Sequence, residues 1–179
     1  SARPVDGLQI NWAISFNHGT YDEFLNGPQF FPLPPNAPVA IPPGCGTYPP
    51  AAGASPAVQR ACDLSGNDTI QTPPFTSNLS VLYTLPTRIG EFTASASWAV
   101  GGDYYFEADN NPVTRQPSTS VVNASLQWMS PGERYSVRLW VNNLTEEEYF
   151  NYITESTSSG NKYSPAAPRT YGVTVGFNF

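Results

Sequence analysis

Few residues of this chain are suited to chemistry: one histidine, His18, and two cysteines, Cys45 and Cys62, in 179 residues. A nucleophilic triad needs a histidine to shuttle protons, and no G-x-S-x-G elbow accompanies His18. A zinc centre needs three or four His, Cys or carboxylate ligands, more than this set supplies. Glu146, Glu147 and Glu148, like Asp103 and Asp109 among their asparagines, read as solvated loop rather than a calcium site. Catalysis, a bound metal and a cofactor are therefore not expected. Cys45 and Cys62 lie in one Pro/Gly-rich stretch at a spacing that could close a loop. An even count in a short segment suits an oxidising compartment; the alternative is two free thiols. A bridge closing about 15 residues contributes roughly 3 kcal/mol in the chain-entropy model. It reads as a surface staple rather than a ligand contact.

Composition narrows the elements that position these residues. Charged residues make up 12% of the chain and aromatics 13%, with 19 prolines. So few charges do not suit an ordinary soluble globule. A net charge of −6 with eight Lys and Arg argues against nucleic acid as a partner. No run of 18 apolar residues exists, so no transmembrane helix is expected. The N-terminus, Ser1-Ala2-Arg3-Pro4, lacks a charged region followed by an apolar one, so no signal peptide is read there. An exported protein would then be a mature form or a fragment.

Period-two alternation recurs in six segments. Their apolar faces read Leu8 to Phe16, Leu79 to Leu85, Phe92 to Val100, Val122 to Trp128, Tyr135 to Val141 and Tyr171 to Phe179. No charge interrupts them. The opposite faces are mostly Ser, Thr, Asn, Gln and Gly, which suits a hydrated lumen. Each segment spans roughly nine to twelve residues, about what a tilted strand needs to cross a bilayer. The connections alternate in length: Pro86-Thr87-Arg88 and Ser130-Pro131-Gly132 are short, whereas 18–74, 101–118 and 143–168 are long and read as loop. Short turns on one side and long loops on the other are the asymmetry of an outer-membrane barrel, with the short turns periplasmic. Tyr83, Phe92, Trp128, Tyr135 and Phe179 then collect at the short-turn end, and Phe16, Trp98 and Tyr171 at the other, as interfacial girdles. On the polar face, Arg134 and Arg138 are expected to pair with lumen carboxylates such as Glu91.

The last forty residues carry specific motifs. Val141-Asn142-Asn143-Leu144-Thr145-Glu146-Glu147-Glu148-Tyr149 and the terminal Pro168-Arg169-Thr170-Tyr171-Gly172-Val173-Thr174-Val175-Gly176-Phe177-Asn178-Phe179 resemble paired signatures of TonB-dependent receptors. Asp63-Leu64-Ser65-Gly66-Asn67 followed by Pro74, Gly7-Leu8, and Gly102-Asp103-Tyr104-Tyr105 are similar to further family runs. The resemblance implies an all-β fold: the last six antiparallel strands of a 22-stranded transmembrane β-barrel with long extracellular loops. Residues 1–179 would be the C-terminal part of that barrel, with plug and earlier strands elsewhere. Six strands cannot close such a barrel, and open edges are costly in lipid.

The same resemblance implies import of a scarce nutrient (a siderophore-iron, cobalamin or carbohydrate class) across the bacterial outer membrane. Implied partners are outer-membrane lipid, the remaining barrel and plug, and the TonB complex through a TonB box in the missing N-terminal part. Thr170, Gly172, Val175, Phe177 and Phe179 look like the signal read by the barrel-assembly machinery. Any amphipathic last strand would look similar. Ligand contacts are expected from loop aromatics: Tyr21, Phe24, Phe30, Phe31, Tyr48, Tyr104, Tyr105 and Phe106; for each the alternative is loop packing. The competing reading is a soluble up-and-down barrel that binds a small apolar ligand.

Overall fold

A computed structural model describes residues 1–32, 45, 57–156 and 160–178, the side chains of 30–32 and 57–60 excepted. In chain order the elements are β1 (Leu8–Phe16), β2 (Gly27–Pro32), β3 (Ala57–Cys62), β4 (Phe75–Thr87), β5 (Gly90–Gly101), β6 (Tyr104–Tyr105), a 3-10 turn (Pro112–Thr114), β7 (Arg115–Gln116), β8 (Thr119–Met129), β9 (Tyr135–Asn142), β10 (Phe150–Thr154), β11 (Lys162–Pro165) and β12 (Thr170–Phe177). Six of them form one antiparallel sheet in the order β1-β4-β5-β8-β9-β12. These are the six alternating segments of the sequence. The remaining strands pair as hairpins inside the long connections.

Register keeps every apolar face on one side. Leu8 lies opposite Tyr83, then Ala94, Leu126, Leu139 and Val173 follow in one row across the sheet. Because side chains alternate with period two, a one-residue slip would turn a whole strand inside out. The sheet has no core of its own. Among the described residues the buried hydrophobic ones, Cys62, Leu64, Phe106 and Ile153, all belong to the loops or their hairpins. Trp12, Phe16, Trp98, Leu139, Tyr171, Val173 and Phe177 are exposed on the sheet's apolar face. A patch of this extent is unstable in water and suits lipid.

Two serines on that face have a physical reason. The Trp12 indole N–H donates to Ser77 Oγ at 2.9 Å, and Trp98 donates to Ser120 Oγ at 2.9 Å. In hydrocarbon an indole N–H finds no water, so the neighbouring strand supplies the acceptor. Trp12 and Trp98 share a cross-strand row through Leu79, which adds Trp12 to the aromatics near the long-loop end. Phe16 stacks there on Phe75, ring centroids 5.4 Å apart. At the short-turn end Phe92 faces Trp128, and Tyr135 meets Phe177 edge-on at 5.7 Å. Phe179 lies outside the described residues.

The first short turn is tighter than the sequence suggests: Thr87 pairs with Gly90, leaving Arg88 and Ile89 as its only unpaired residues. Pro86 and Thr87 therefore belong to β4. Gly90 has φ 126°, and a Cβ there would strike the Met129 carbonyl, so glycine is required. Trp128 donates its indole N–H to the Ile89 carbonyl at 3.0 Å, tying the girdle to the turn. At the same end Ala2 and Ile10 exchange two backbone hydrogen bonds of 2.8 and 2.9 Å. The outer edge of β1 thus already carries the start of a further ladder, reached through a reversal at residues 3–7.

On the polar face, Ser95 and Ser125 hydroxyls meet at 2.7 Å, and Asn123 donates to Ser97 at 3.3 Å. Trp140 lies flat across Gly172, where a Cβ would come within 2.5 Å of its ring, and donates to Thr174 Oγ1 at 3.3 Å. The expected pairing of Arg134 or Arg138 with Glu91 is not found among the described residues. Their ion pairs are Arg115–Asp103 at 2.7 Å and Arg169–Glu146 at 2.9 Å, both in loops. The reason is register: β8 separates β5, which carries Glu91, from β9, which carries Arg138. Glu91 lies in the Met129–Ser136 row and Arg138 in the Gln127 row, so the two stand a diagonal apart across β8.

Candidate functional site

The three long connections lie at the same end of the sheet and pack on one another. The first, 17–74, is organised by Asp63-Leu64-Ser65-Gly66-Asn67. Asp63 Oδ1 accepts the Ser65 N–H at 3.0 Å, and Ser65 Oγ accepts from Phe24 N at 2.9 Å. The Ser65 hydroxyl and backbone N–H hold the Asp63 carboxyl below the usual range. Tyr21 N donates to the Asn67 carbonyl, and Gly66 N to that of Tyr21. Cys45 is bonded to Cys62 across a separation of 17, beside the β2–β3 hairpin. That hairpin is a correction, because residues 25–74 show no periodicity in the sequence. β2, which carries Pro28 and Pro32, pairs with β3 next to the disulfide without any alternating pattern.

The second connection, 102–118, is tied to the first by Asn67 Nδ2 donating to the Ala108 carbonyl at 2.9 Å. Asp68 N also donates to Asn110 Oδ1, at 2.7 Å. It is tied to the third, 143–169, by Gln116, whose Oε1 accepts the Phe150 N–H at 2.9 Å. Asn111 Nδ2 donates to Glu155 Oε1 at 2.6 Å. Arg115 holds Asp103 through two hydrogen bonds, which keeps that carboxyl below its ordinary value.

Asn143 anchors the third connection. Its backbone takes the left-handed conformation (φ 52°), and its side chain accepts from Glu147 N at 2.8 Å and donates to the Glu147 carbonyl at 2.9 Å. At 4% exposure it is a structural clamp. Asparagine suits it because it tolerates this conformation and offers both donor and acceptor.

The aromatic candidates separate into groups. Tyr21 and Phe24 are half-buried and stack at 5.1 Å. Tyr104 and Tyr105 are half-buried in the β6–β7 pair. Phe106 is only 3% exposed and packs against Tyr104 at 5.2 Å and Tyr152 at 5.7 Å. The structure therefore makes Phe106 a packing residue with almost no surface for a ligand. Tyr48 and the side chains of Phe30 and Phe31 lie outside the described residues. Sequence reasoning missed Tyr152 and Tyr163, which are 45% and 48% exposed on the β10–β11 hairpin. Their signal was present: alternation resumes at Phe150, Tyr152 and Thr154 inside a segment read as loop.

Carboxyl groups dominate the charge here. The connections carry Asp22, Glu23, Asp63, Asp68, Asp103, Glu107, Asp109, Glu146, Glu147, Glu148 and Glu155, against Arg60, Arg115, Lys162 and Arg169. Arg115 and Arg169 are already engaged by Asp103 and Glu146. No group of three or more His, Cys, Asp or Glu among the described residues is arranged to hold a metal ion.

Comparison with known proteins gives this architecture a family. The family model described as TonB dependent receptor-like, beta-barrel matches residues 7–144. The crystal structure of the ferric yersiniabactin uptake receptor FyuA from Yersinia pestis is similar over 65% of this chain and 18% of its own, with 26% identity and TM-score 0.59. Two Acinetobacter baumannii structures, the ferric preacinetobactin receptor BauA and the siderophore receptor PiuA, show the same fold. They share 18% and 20% identity, cover 63% of this chain and 16% and 14% of theirs, and each gives a TM-score of 0.50. The chain thus spans less than a fifth of the length of these receptors. No curated protein sequence matches it significantly. With its exposed apolar face, alternating turns and matched strands, the chain belongs to the TonB-dependent receptor β-barrel family, whose members are outer-membrane proteins of Gram-negative bacteria.

Proposed function

We propose that the chain is the C-terminal part of the barrel of a receptor that imports a scarce nutrient, its three loops forming one side of the ligand entrance. The observation that carries this reading is the family match over residues 7–144, together with fold neighbours that are siderophore receptors. Plug, TonB box and the remaining strands belong to the rest of such a protein. Outer-membrane lipid covers the apolar face, and the barrel-assembly machinery reads the end of the chain through Thr170, Gly172, Val175, Phe177 and Phe179. A transporter and receptor family supports binding and passage as the role rather than catalysis. Family membership leaves no support for the soluble ligand-binding barrel.

Among nutrients, the loops favour a metal chelate that is neutral or cationic. Tyr21, Phe24, Tyr104, Tyr105, Tyr152 and Tyr163 offer flat, partly exposed surfaces to a conjugated or cationic ligand. The carboxylate excess repels a polyanion at the entrance and attracts a cation. Growth under iron limitation of cells relying on the full-length receptor tests both statements. Rescue by a cationic ferric trihydroxamate, with none by an anionic ferric tris-catecholate, is the expected result. Rescue by the tris-catecholate alone would overturn the charge argument, and rescue by no chelate would overturn iron uptake.

A further inference from the structure

Asp109 and Glu155 come from different long connections, yet both are 8% exposed. Asn111 sits between them: its backbone N–H donates to Asp109 Oδ1 at 3.2 Å, and its side-chain amide donates to Glu155 Oε1 at 2.6 Å. The second oxygen of each carboxyl, Asp109 Oδ2 and Glu155 Oε2, is buried and receives a hydrogen from no donor among the described residues. Asn111 brings the two carboxyl groups together, and each acts on the other's titration as a hydrogen-bonding neighbour. Such a contact is attractive only when one carboxyl keeps its proton and donates it, because an ionised carboxylate is purely an acceptor.

We propose that Asp109 and Glu155 form a proton-operated latch that holds the 102–118 connection against the 143–169 connection. The latch is closed by one shared proton and opened when both groups are ionised. Its setting favours that behaviour. Phe106 and Tyr152 precede the two carboxyls by three residues each and make a parallel contact between the same loops. Loss of the proton would place two buried like charges beside it. Glu107 adds a third negative charge toward Glu155. Among the described residues no compensating cation faces the pair: Arg115 is bound to Asp103, and Lys162 is exposed on β11 opposite Thr154 rather than Glu155. Burial and the charges of Asp109 and Glu107 push Glu155 up to about 7, so opening falls near neutrality. Burial likewise raises Asp109.

Opening releases one proton to solvent, forms no bond and needs no co-reactant. Its consequence is exposure of Phe106, with the side of Tyr152 that covers it, at the ligand entrance. The inference concerns the loops themselves and stands whichever nutrient is carried.

Hydrogen exchange of the full-length receptor in lipid nanodiscs tests the latch, with a chelator present so that no divalent cation replaces the proton. Amides of residues 104–116 and 150–155 are compared at about pH 5.5 and about pH 8.5, corrected for intrinsic exchange. Protection in the wild type is expected to fall about tenfold at the higher pH. Glu155→Gln, whose amide donates to Asp109 without titrating, is expected to stay protected at both. Equal wild-type protection at the two values, or the same loss in Glu155→Gln, would overturn the proposal. Infrared difference spectra of the wild type keep it testable if the variant misfolds. A protonated-carboxyl band that disappears between the two pH values is expected, and its absence at the lower pH would rule out the shared proton.

Discussion

Single side chains explain features of this chain that composition leaves puzzling. Ser77 and Ser120 stand on a lipid-facing surface because each takes the indole N–H of a tryptophan on the next strand. Replacing Ser120 with alanine leaves the Trp98 N–H unpaired, at a cost of about 1–3 kcal/mol. The same change in a Trp98→Phe background should be nearly neutral, as unfolding of the two pairs in lipid would show. Gly172 has a packing role beside its place in the assembly signal, because Trp140 occupies the space a Cβ would need. Gly172→Ala should therefore lower the yield of folded barrel, and Trp140→Ala should restore it. If the second change gave no recovery, the clash with Trp140 would not be the cause. Asn143 likewise holds its turn by its own side chain, so Asn143→Ala should speed proteolysis within residues 143–149 before it affects the sheet.

Among the elements, the six sheet strands and the loop hairpins obey different forces. The sheet strands are specified by alternation, and their register keeps one face uncharged. The hairpins are held by a disulfide, by loop hydrogen bonds and by the Phe106–Tyr152 contact. Their stability should depend on pH in a defined direction. Glu155 binds its proton more tightly when folded, at about 7, than at its ordinary value of 4.5. The contribution is present below the ordinary value and is lost as pH rises through the folded one. The melting temperature of the loop transition should decline across that window in the wild type and stay level in Glu155→Gln. A rise with pH would contradict the assignment. Asp103 has the opposite sign, because Arg115 lowers it.

At the scale of the molecule, the sheet is an incomplete object. Both its edges, β1 and β12, are open, and β1 already pairs with Ala2 through a reversal on the short-turn side. Backbone groups on an open edge have no partner in hydrocarbon. Residues 1–179 expressed alone should sediment as aggregate without detergent, whereas the same segment within a closed barrel should resist heating in lipid. A soluble, monomeric 179-residue species would contradict the exposed apolar face as a membrane surface.

By itself the sequence determined the six-strand sheet, its uncharged face, the alternation of short and long connections and the family. Those properties follow from period-two patterning and from motifs such as Asn143-Leu144 and Pro168-Arg169, which are local along the chain. It read residues 143–168 as loop although alternation resumes at Phe150, and it placed Phe106 among ligand contacts, because neither a strand's partner nor burial is visible in local pattern. Only the tertiary structure decided which aromatics stay exposed, that Arg138 lies two strands from Glu91, and that Asp109 meets Glu155. Those are juxtapositions of residues far apart in the chain. The sheet sets the three loops at one end, and hydrogen bonds between residues far apart in the chain then lock them together.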